Sequence, residues 1–308
     1  MQINQVIKHL KFTKGTSPFV KKYFVNKYLL LSFLLFFSQH NTIYSISQEN
    51  DYFQQEVNHK IKVKLDDSRH MLMADIETEY INNSPDTLLF IYMHLWPNAY
   101  SSNNTAFAKQ QLERGNLDFH FSSPEDRGFI DSLNFKIDDK EVNWQHLDEN
   151  NPDIAIIFPN EPVLPGDTII IKTPFRVKFP HAFFSRLGHN KQAYHVTQWY
   201  PKPAVYDKFG WHPMPYLDIG EFYSEFGNFD VEITLPDNYI VASSGELLTE
   251  SERTLLDSLA YDWHMILFSY QLPDNNEFPP SSDNYKSLNY RLENAHDFAW
   301  VAISVEQG

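Results

Sequence analysis

A helical zinc site places two His at i and i+4, so that both imidazoles face one metal with a Glu beside the first as general base. The chain has 13 histidines, and no two of them stand three or four residues apart. The closest pairs are His181/His189 and His189/His195, and no His-x-His pair exists to put two ligands on one face of a strand. A zinc site would have to be assembled from distant histidines, so scattered surface and half-buried imidazoles are the simpler reading. The sequence has no cysteine, which removes disulfides, thiolate ligands and a cysteine nucleophile together. No two glycines stand two apart, so dinucleotide and kinase glycine loops cannot be built, and Gly-x-Ser-x-Gly is absent as well.

Two segments hold residue types that could bind or react. Asp218, Glu221, Glu225 and Asp230 fall within a short aromatic stretch. Paired carboxylates beside Trp and Tyr faces are what a glycosidase or a carbohydrate-binding module uses, although most acidic residues in so acidic a chain belong to solvated faces. The run Thr197 to Asp218 (TQWYPKPAVYDKFGWHPMPYLD) is dense in large rings and prolines. Rigid turns carrying rings make a low-entropy binding face. The same rings could instead plug the gap between two sheets, and composition favours neither use.

The surrounding elements read as strands. Val57, His59, Ile61, Val63 and Leu65 alternate with polar residues, Asp66-Asp67-Ser68 reads as a turn, and Leu72, Ala74, Ile76, Thr78 and Tyr80 resume the alternation. Leu88 to Trp96 is apolar on both faces, as a covered central strand would be. Leu133–Ile137 and Glu141–Trp144 flank Asp138-Asp139-Lys140 as a hairpin, and Ile154–Phe158 and Thr168–Lys172 bracket a loop closed by Leu164-Pro165-Gly166-Asp167. Phe229, Val231, Ile233 and Leu235 form another alternating strand, turned by Pro236-Asp237-Asn238 into Tyr239–Ser243. Only Thr105–Arg114 and Ser251–Ser258 read as helical, and both are short. The pattern predicts an all-β fold, with residues 50–308 as one large domain of packed sheets.

Composition sets the outer limits. With 308 residues, 42% of them hydrophobic, there is ample material for a core. The formal net charge is −15, and six lysines precede the first acidic residue, Glu49, so the rest is more acidic still. A body of that sign repels phosphate backbones, which argues against nucleic acid as a partner. The basic start leads into the apolar run Tyr28–Ser38, shorter than the roughly 20 residues a spanning helix needs. With Ser45 and Ser47 at positions a signal peptidase inspects, residues 1–47 are expected to be a signal peptide and the protein to be exported to the periplasm or the exterior, with an uncleaved membrane anchor as the alternative.

Tyr194-His-Val-Thr-Gln-Trp-Tyr-Pro201, with Gly220-Glu-Phe-Tyr-Ser-Glu-Phe-Gly-Asn-Phe-Asp-Val-Glu-Ile-Thr-Leu-Pro236, resembles the N-terminal domain of M1-family zinc metallopeptidases, aminopeptidase N-like enzymes, in an exported bacterial branch. Leu95-Trp-Pro-Asn-Ala-Tyr100, Pro162-Val-Leu-Pro-Gly-Asp167 and Glu293-Asn-Ala-His-Asp-Phe-Ala-Trp300 match further segments in the family's order. The resemblance implies a saddle-like all-β domain of packed, mainly antiparallel sheets, resting against a thermolysin-like catalytic domain. That second domain carries the Gly-x-Met-x-Asn motif, the His-Glu-x-x-His helix and a later Glu ligand, none of which occurs in this sequence. No catalytic residue and no metal ligand is therefore carried over. Zinc and peptide hydrolysis are expected of a full-length enzyme, and this chain alone is expected to be inactive.

In many family members a Thr-Gln-x-Glu-Pro segment helps form the pocket for the first substrate residue. It corresponds here to Thr197-Gln198-Trp199-Tyr200-Pro201, which makes Gln198, with Trp199 and Tyr200, the candidate substrate-binding residues. Tyr200 stands where the family has Glu, leaving no carboxylate there to hold a free amine. The partners implied are a C-terminal catalytic domain and a peptide substrate. Two seams that such a domain would cover, the face of Gln198–Tyr200 and the strand near Ala295–Ser304, are expected to lie exposed and to favour self-association. A free-standing exported module that binds peptide or carbohydrate is the alternative.

Overall fold

A computed structural model describes residues 52–266 and 278–306, with side chains described to Ala260 in the first stretch. The chain divides at Glu49/Asn50, and the described residues all belong to the second unit; the expected signal peptide lies outside them. The fold is all-β, with two α-helices among the described residues, α1 (Ala106–Glu113) and α2 (Glu250–Ile266).

The largest sheet is organised on β1 (Glu56–Asp66) and β2 (Met71–Ile81), which pair antiparallel along all 11 residues of each. Their buried positions are the alternating set read from the sequence, Val57 to Leu65 and Leu72 to Tyr80. That placement follows from the two-residue period of a strand: one face meets the core and the other meets water. On the inner face His59 Nδ1 lies 2.9 Å from Thr78 Oγ1, so the polar pair among apolar neighbours satisfies itself. The outer face carries a lattice of exposed ion pairs, among them Lys172 with Glu77 and with Asp139 and Arg176 with Asp131; water screens such pairs, so they add little to stability.

β9 (Thr168–Lys178) extends the sheet beyond β2, and β15 (Gly227–Pro236) joins β1 on the other side in parallel. β18 (Tyr285–Ala295) then pairs antiparallel with β15. Small strands finish the edges: β4 (Phe129–Asp131) and the β5–β6 hairpin (Lys136–Ile137, Lys140–Glu141) at β9, and β17 (Glu246–Leu247) at β18. Two four-stranded sheets complete the domain. One has the order β10 (Gly188–Asn190), β11 (Ala193–Val196), β19 (Trp300–Ser304), β16 (Tyr239–Ser243); the other has β12 (Lys202–Pro203), β3 (Ile91–His94), β8 (Ile154–Phe158), β7 (Asn143–His146). A short hairpin, β13 (Tyr206–Asp207) and β14 (Gly210–Trp211), stands apart from the three sheets.

Several elements depart from the sequence expectation for local reasons. Leu88–Trp96 is not one strand: only Ile91–His94 pairs continuously, Leu88 makes an isolated bridge to Val163, and Trp96 opens a 3-10 turn. Pro97 cannot donate to a ladder, and the Trp96 indole leaves the strand line to bond the Met214 carbonyl at 3.1 Å. The hairpin at Asp138 turns on two residues, Asp138 and Asp139, both with positive φ (49° and 64°), as the twist-matched two-residue turn requires. Asn143–His146 has by then left for another sheet. Pro236-Asp237-Asn238 likewise carries the chain from one sheet to another, since β15 and β16 do not pair. Helix α2 is longer than Ser251–Ser258, and its buried Glu252 receives Lys286 at 2.6 Å.

Gly227 marks the close approach of β15 to β1. A Cβ there would sit 1.8 Å from the Val57 carbonyl oxygen, whereas one at Gly220 would meet nothing nearer than 3.6 Å. Gly227→Ala is therefore expected to destabilise the fold by roughly 2–3 kcal/mol in a urea melt, and Gly220→Ala to change it little. Equal effects of the two substitutions would contradict this packing.

Candidate functional site

The segment between β11 and β12 is fixed from both ends, and its conformation is unusual. Gln198 has φ of +54°, in the left-handed region that a non-glycine residue adopts only where the surroundings hold it. Those surroundings are hydrogen bonds to Lys202 four residues on and to residues almost a hundred positions later. Gln198 Nε2 donates to Asp297 Oδ2 at 2.5 Å, while its Oε1 accepts from Lys202 Nζ at 2.7 Å. The Tyr200 hydroxyl donates to Asp297 Oδ1 at 2.9 Å, and the Trp199 indole donates to the Phe298 carbonyl at 3.0 Å. Lys202 Nζ stands 3.5 Å from Asp297 Oδ1. One carboxylate thus gathers an amide, a phenol and an ammonium, and orders the loop that carries them.

The cluster sits among rings. Lys202 Nζ lies 4.5 Å from the Trp96 ring centroid and 5.6 Å from that of Tyr200, distances at which a cation is attracted to the π face. His94 stacks on Trp96 at 4.4 Å, and His59 packs between Tyr200 and Phe229. Burial pushes the Lys202 ammonium below its ordinary range, and Asp297 opposes that shift. Burial, assisted by the charge of Lys202, lowers both His59 and His94 to about 3. The Tyr200 hydroxyl is raised by burial and by the neighbouring Asp297.

This arrangement corrects the exposure expected of the segment. Trp199 and Tyr200 are buried, at 0% and 2% exposure, and Gln198 is 7% exposed. The rings plug the core between sheets, one of the two uses their composition allowed, and offer no surface to a ligand here. Gln198 and the edge of Asp297 are the parts nearest solvent. At the second expected seam β19 has no open edge, because it pairs with β11 on one side and β16 on the other, but its outward face lies in water, with Val301 and Ile303 at 44% and 43% exposure.

The carboxylates considered for sugar chemistry do not work as pairs. Asp218 accepts from Ser185 Oγ at 2.9 Å, Asp230 lies 3.4 Å from Arg291, Glu221 is exposed, and Glu225 accepts the Tyr206 backbone N–H. Among the described residues no group of three His, Asp or Glu side chains is placed to hold a metal ion, so they offer zinc no ligand set. Lys202 and Asp297 were not singled out from sequence. A lysine between two prolines and an aspartate beside a Phe carry no periodic signal, and only the fold brings them together.

No family model and no curated protein matches the chain. Solved structures similar to it are M1 zinc metallopeptidases. A two-domain M1 zinc metallopeptidase, a point mutant bound to L-tryptophan, is 9% identical, with 81% of this chain and 43% of that chain covered and a TM-score of 0.41. The M1 zinc metallopeptidase from Deinococcus radiodurans is 9% identical, with 83% and 43% covered and a TM-score of 0.40. This chain spans less than half the length of those structures.

The buried imidazoles generate a pH prediction. An unfolded histidine takes up a proton near pH 6.5, but His59 and His94 stay neutral in the fold down to about 3. His70 and His189, stacked at 3.7 Å, are lowered as well, His189 to about 4, through burial first. Below pH 6.5 the unfolded chain binds protons that the folded chain does not, so this stability is complete above that pH and is lost as pH falls. Urea titrations should show stability dropping between pH 6.5 and 5 by up to about 1.4 kcal/mol per pH unit for each of His59 and His94, and by less for the half-exposed His70 and His189, where solvent screens the charge. His59→Leu should flatten that slope by about one proton, and an unchanged slope would contradict the assignment.

Proposed function

We propose that this chain is the N-terminal, non-catalytic β-domain of an M1-family zinc metallopeptidase, and that Gln198 borders the pocket for the first residue of a peptide substrate. The observation that carries this reading is the left-handed Gln198, standing in Thr197-Gln-Trp-Tyr-Pro201 and clamped by Asp297 and Lys202. A loop in ordinary conformation would need no such clamp, and strain of this kind collects where a side chain must be held in one place. The order of the sequence motifs from Leu95 to Trp300 supports the same reading.

Nε2 and Oε1 of Gln198 each have one internal partner, which leaves one Nε2 hydrogen and one Oε1 lone pair to address a substrate. Trp199 and Tyr200 act from behind, by fixing the backbone through Phe298 and Asp297. Peptide hydrolysis and the zinc that supports it belong to the catalytic domain.

In an enzyme carrying that domain, Gln198→Ala should lower kcat/KM on aminoacyl anilides roughly 10- to 100-fold, the loss of one to two positioning hydrogen bonds, without loss of zinc. Trp199→Phe removes the bond to Phe298 and should give a smaller loss in the same direction. Unaltered kinetics of Gln198→Ala across several substrates would remove Gln198 from the pocket.

A further inference from the structure

A cavity of about 380 Å³ opens beside the β13–β14 hairpin and the run Phe222–Phe226. It shares no lining residue with the Gln198–Lys202–Asp297 cluster, and its volume suits a small molecule or a single side chain. Rings make most of its wall: Phe53, Tyr206, Phe209, Phe222, Tyr223 and Phe226. Three of them show substantial surface, with Phe209 at 80% exposure and Tyr223 and Phe226 at 42% each.

Two carboxylates lie among these rings, and they are differently engaged. Asp207 is fully used: Oδ1 accepts from the Phe209 N–H and faces His212 Nε2, both at 2.8 Å, and Oδ2 accepts from the Tyr223 hydroxyl at 3.1 Å. It builds the wall by fixing the hairpin and the Tyr223 ring. Glu225, only 7% exposed, has a single bond, from the Tyr206 N–H to Oε1 at 3.1 Å. Its Oε2 accepts no hydrogen bond among the described residues, an unpaired carboxylate oxygen in an aromatic pocket. Burial, with Asp207 nearby, raises Glu225 to about 7 against the pull of the Tyr206 N–H. The other charged or titratable groups on the wall are Lys208 and His296, both exposed, and the phenols of Tyr52, Tyr206 and Tyr223. From β2 the Tyr80 hydroxyl also meets the Glu225 charge, and burial together with that charge raises it.

We propose that this cavity is a binding site for an organic ammonium group, received on the faces of Tyr206, Phe209, Tyr223 and Phe226 and paired with Glu225. An anion would meet a carboxylate, and a neutral apolar ligand would leave that carboxylate desolvated without a partner, which is costly. An ammonium satisfies both the π faces and the charge. The hairpin already shows the contact in miniature, because Lys208 Nζ lies 5.2 Å from the Phe209 ring centroid. A metal ion would find one free carboxylate oxygen, too few ligands to hold it. The ammonium can belong to a free small amine or to a lysine side chain of a peptide. This inference goes beyond the function proposed above and stands without the catalytic domain.

Calorimetric titration of the full chain tests it with choline, its uncharged carbon isostere 3,3-dimethylbutan-1-ol, an acetylated and amidated Gly-Lys-Gly peptide, and maltotriose. At pH 8 choline should bind at least tenfold more tightly than the isostere, and the gap should close as pH falls through about 7 to 5, where Glu225 takes up its proton. Glu225→Gln, nearly isosteric and still able to accept the Tyr206 N–H, should abolish the gap at pH 8. Phe209→Ala, at an exposed ring, should weaken choline severalfold with an unchanged melting temperature. A peptide at least tenfold tighter than choline assigns the ammonium to a side chain, and a weaker one assigns it to a free amine. Equal binding of choline and its isostere, a gap that survives Glu225→Gln, or saturation by maltotriose alone would overturn the proposal.

Discussion

The site segment depends on one interaction, the pairing of a lysine ammonium inside an aromatic core with a carboxylate from a distant part of the chain. Lys202 is 3% exposed and lies over the ring of Trp96. An ammonium in such a place would carry a desolvation penalty of several kcal/mol if it were alone. Asp297 and the Gln198 amide offset that penalty, and in doing so they dictate where the chain can run. Gln198 must turn left-handed to reach both, Tyr200 must point inward to complete the carboxylate's shell, and Trp199 is drawn to the Phe298 carbonyl. The connection reaches across sheets, since Lys202 belongs to β12 and Asp297 lies in the loop between β18 and β19.

The aromatic-rich stretch from Thr197 to Phe226 serves two purposes that its composition could not separate. Its first part, Trp199 and Tyr200 with Tyr216 farther on, fills the core. Other rings of the same stretch, Phe209, Tyr223 and Phe226, stay at the surface around Glu225. Hydrogen bonding divides them. The inward rings Trp199 and Tyr200 donate to Phe298 and Asp297, whereas Asp207 fixes the hairpin turn and the Tyr223 hydroxyl and leaves Phe209 and Tyr223 near water.

Much of the sheet architecture was legible because a half-buried strand writes its face into every second residue. Val57 to Leu65 and Phe229 to Leu235 needed only that periodicity, and Ile154–Phe158 and Tyr239–Ser243 were bounded correctly as well. Pairing was harder to read. Nothing in β1 or β15 announces that they run parallel, or that the turn at Asp237 links two sheets instead of two neighbours. The site was legible only as a motif. Gln198, Trp199 and Tyr200 could be found in the sequence, but their burial could not, because it is decided by Lys202 and Asp297, whose partners are set by tertiary structure. Glu225 stands out in the sequence as a carboxylate among rings, but its cavity depends on Asp207 holding the hairpin, a tertiary arrangement that no local pattern encodes.

The most direct test is a double-mutant cycle on the buried pair, with urea unfolding of Asp297→Ala, Lys202→Met and the double variant at pH 7.5. Asp297→Ala alone should destabilise the fold by roughly 3–5 kcal/mol, because it strands the ammonium among rings. Adding Lys202→Met should recover a large part of that loss, giving a coupling energy of at least about 2 kcal/mol. Additive losses in the double variant would show that the pair does not organise the segment, and would contradict the account.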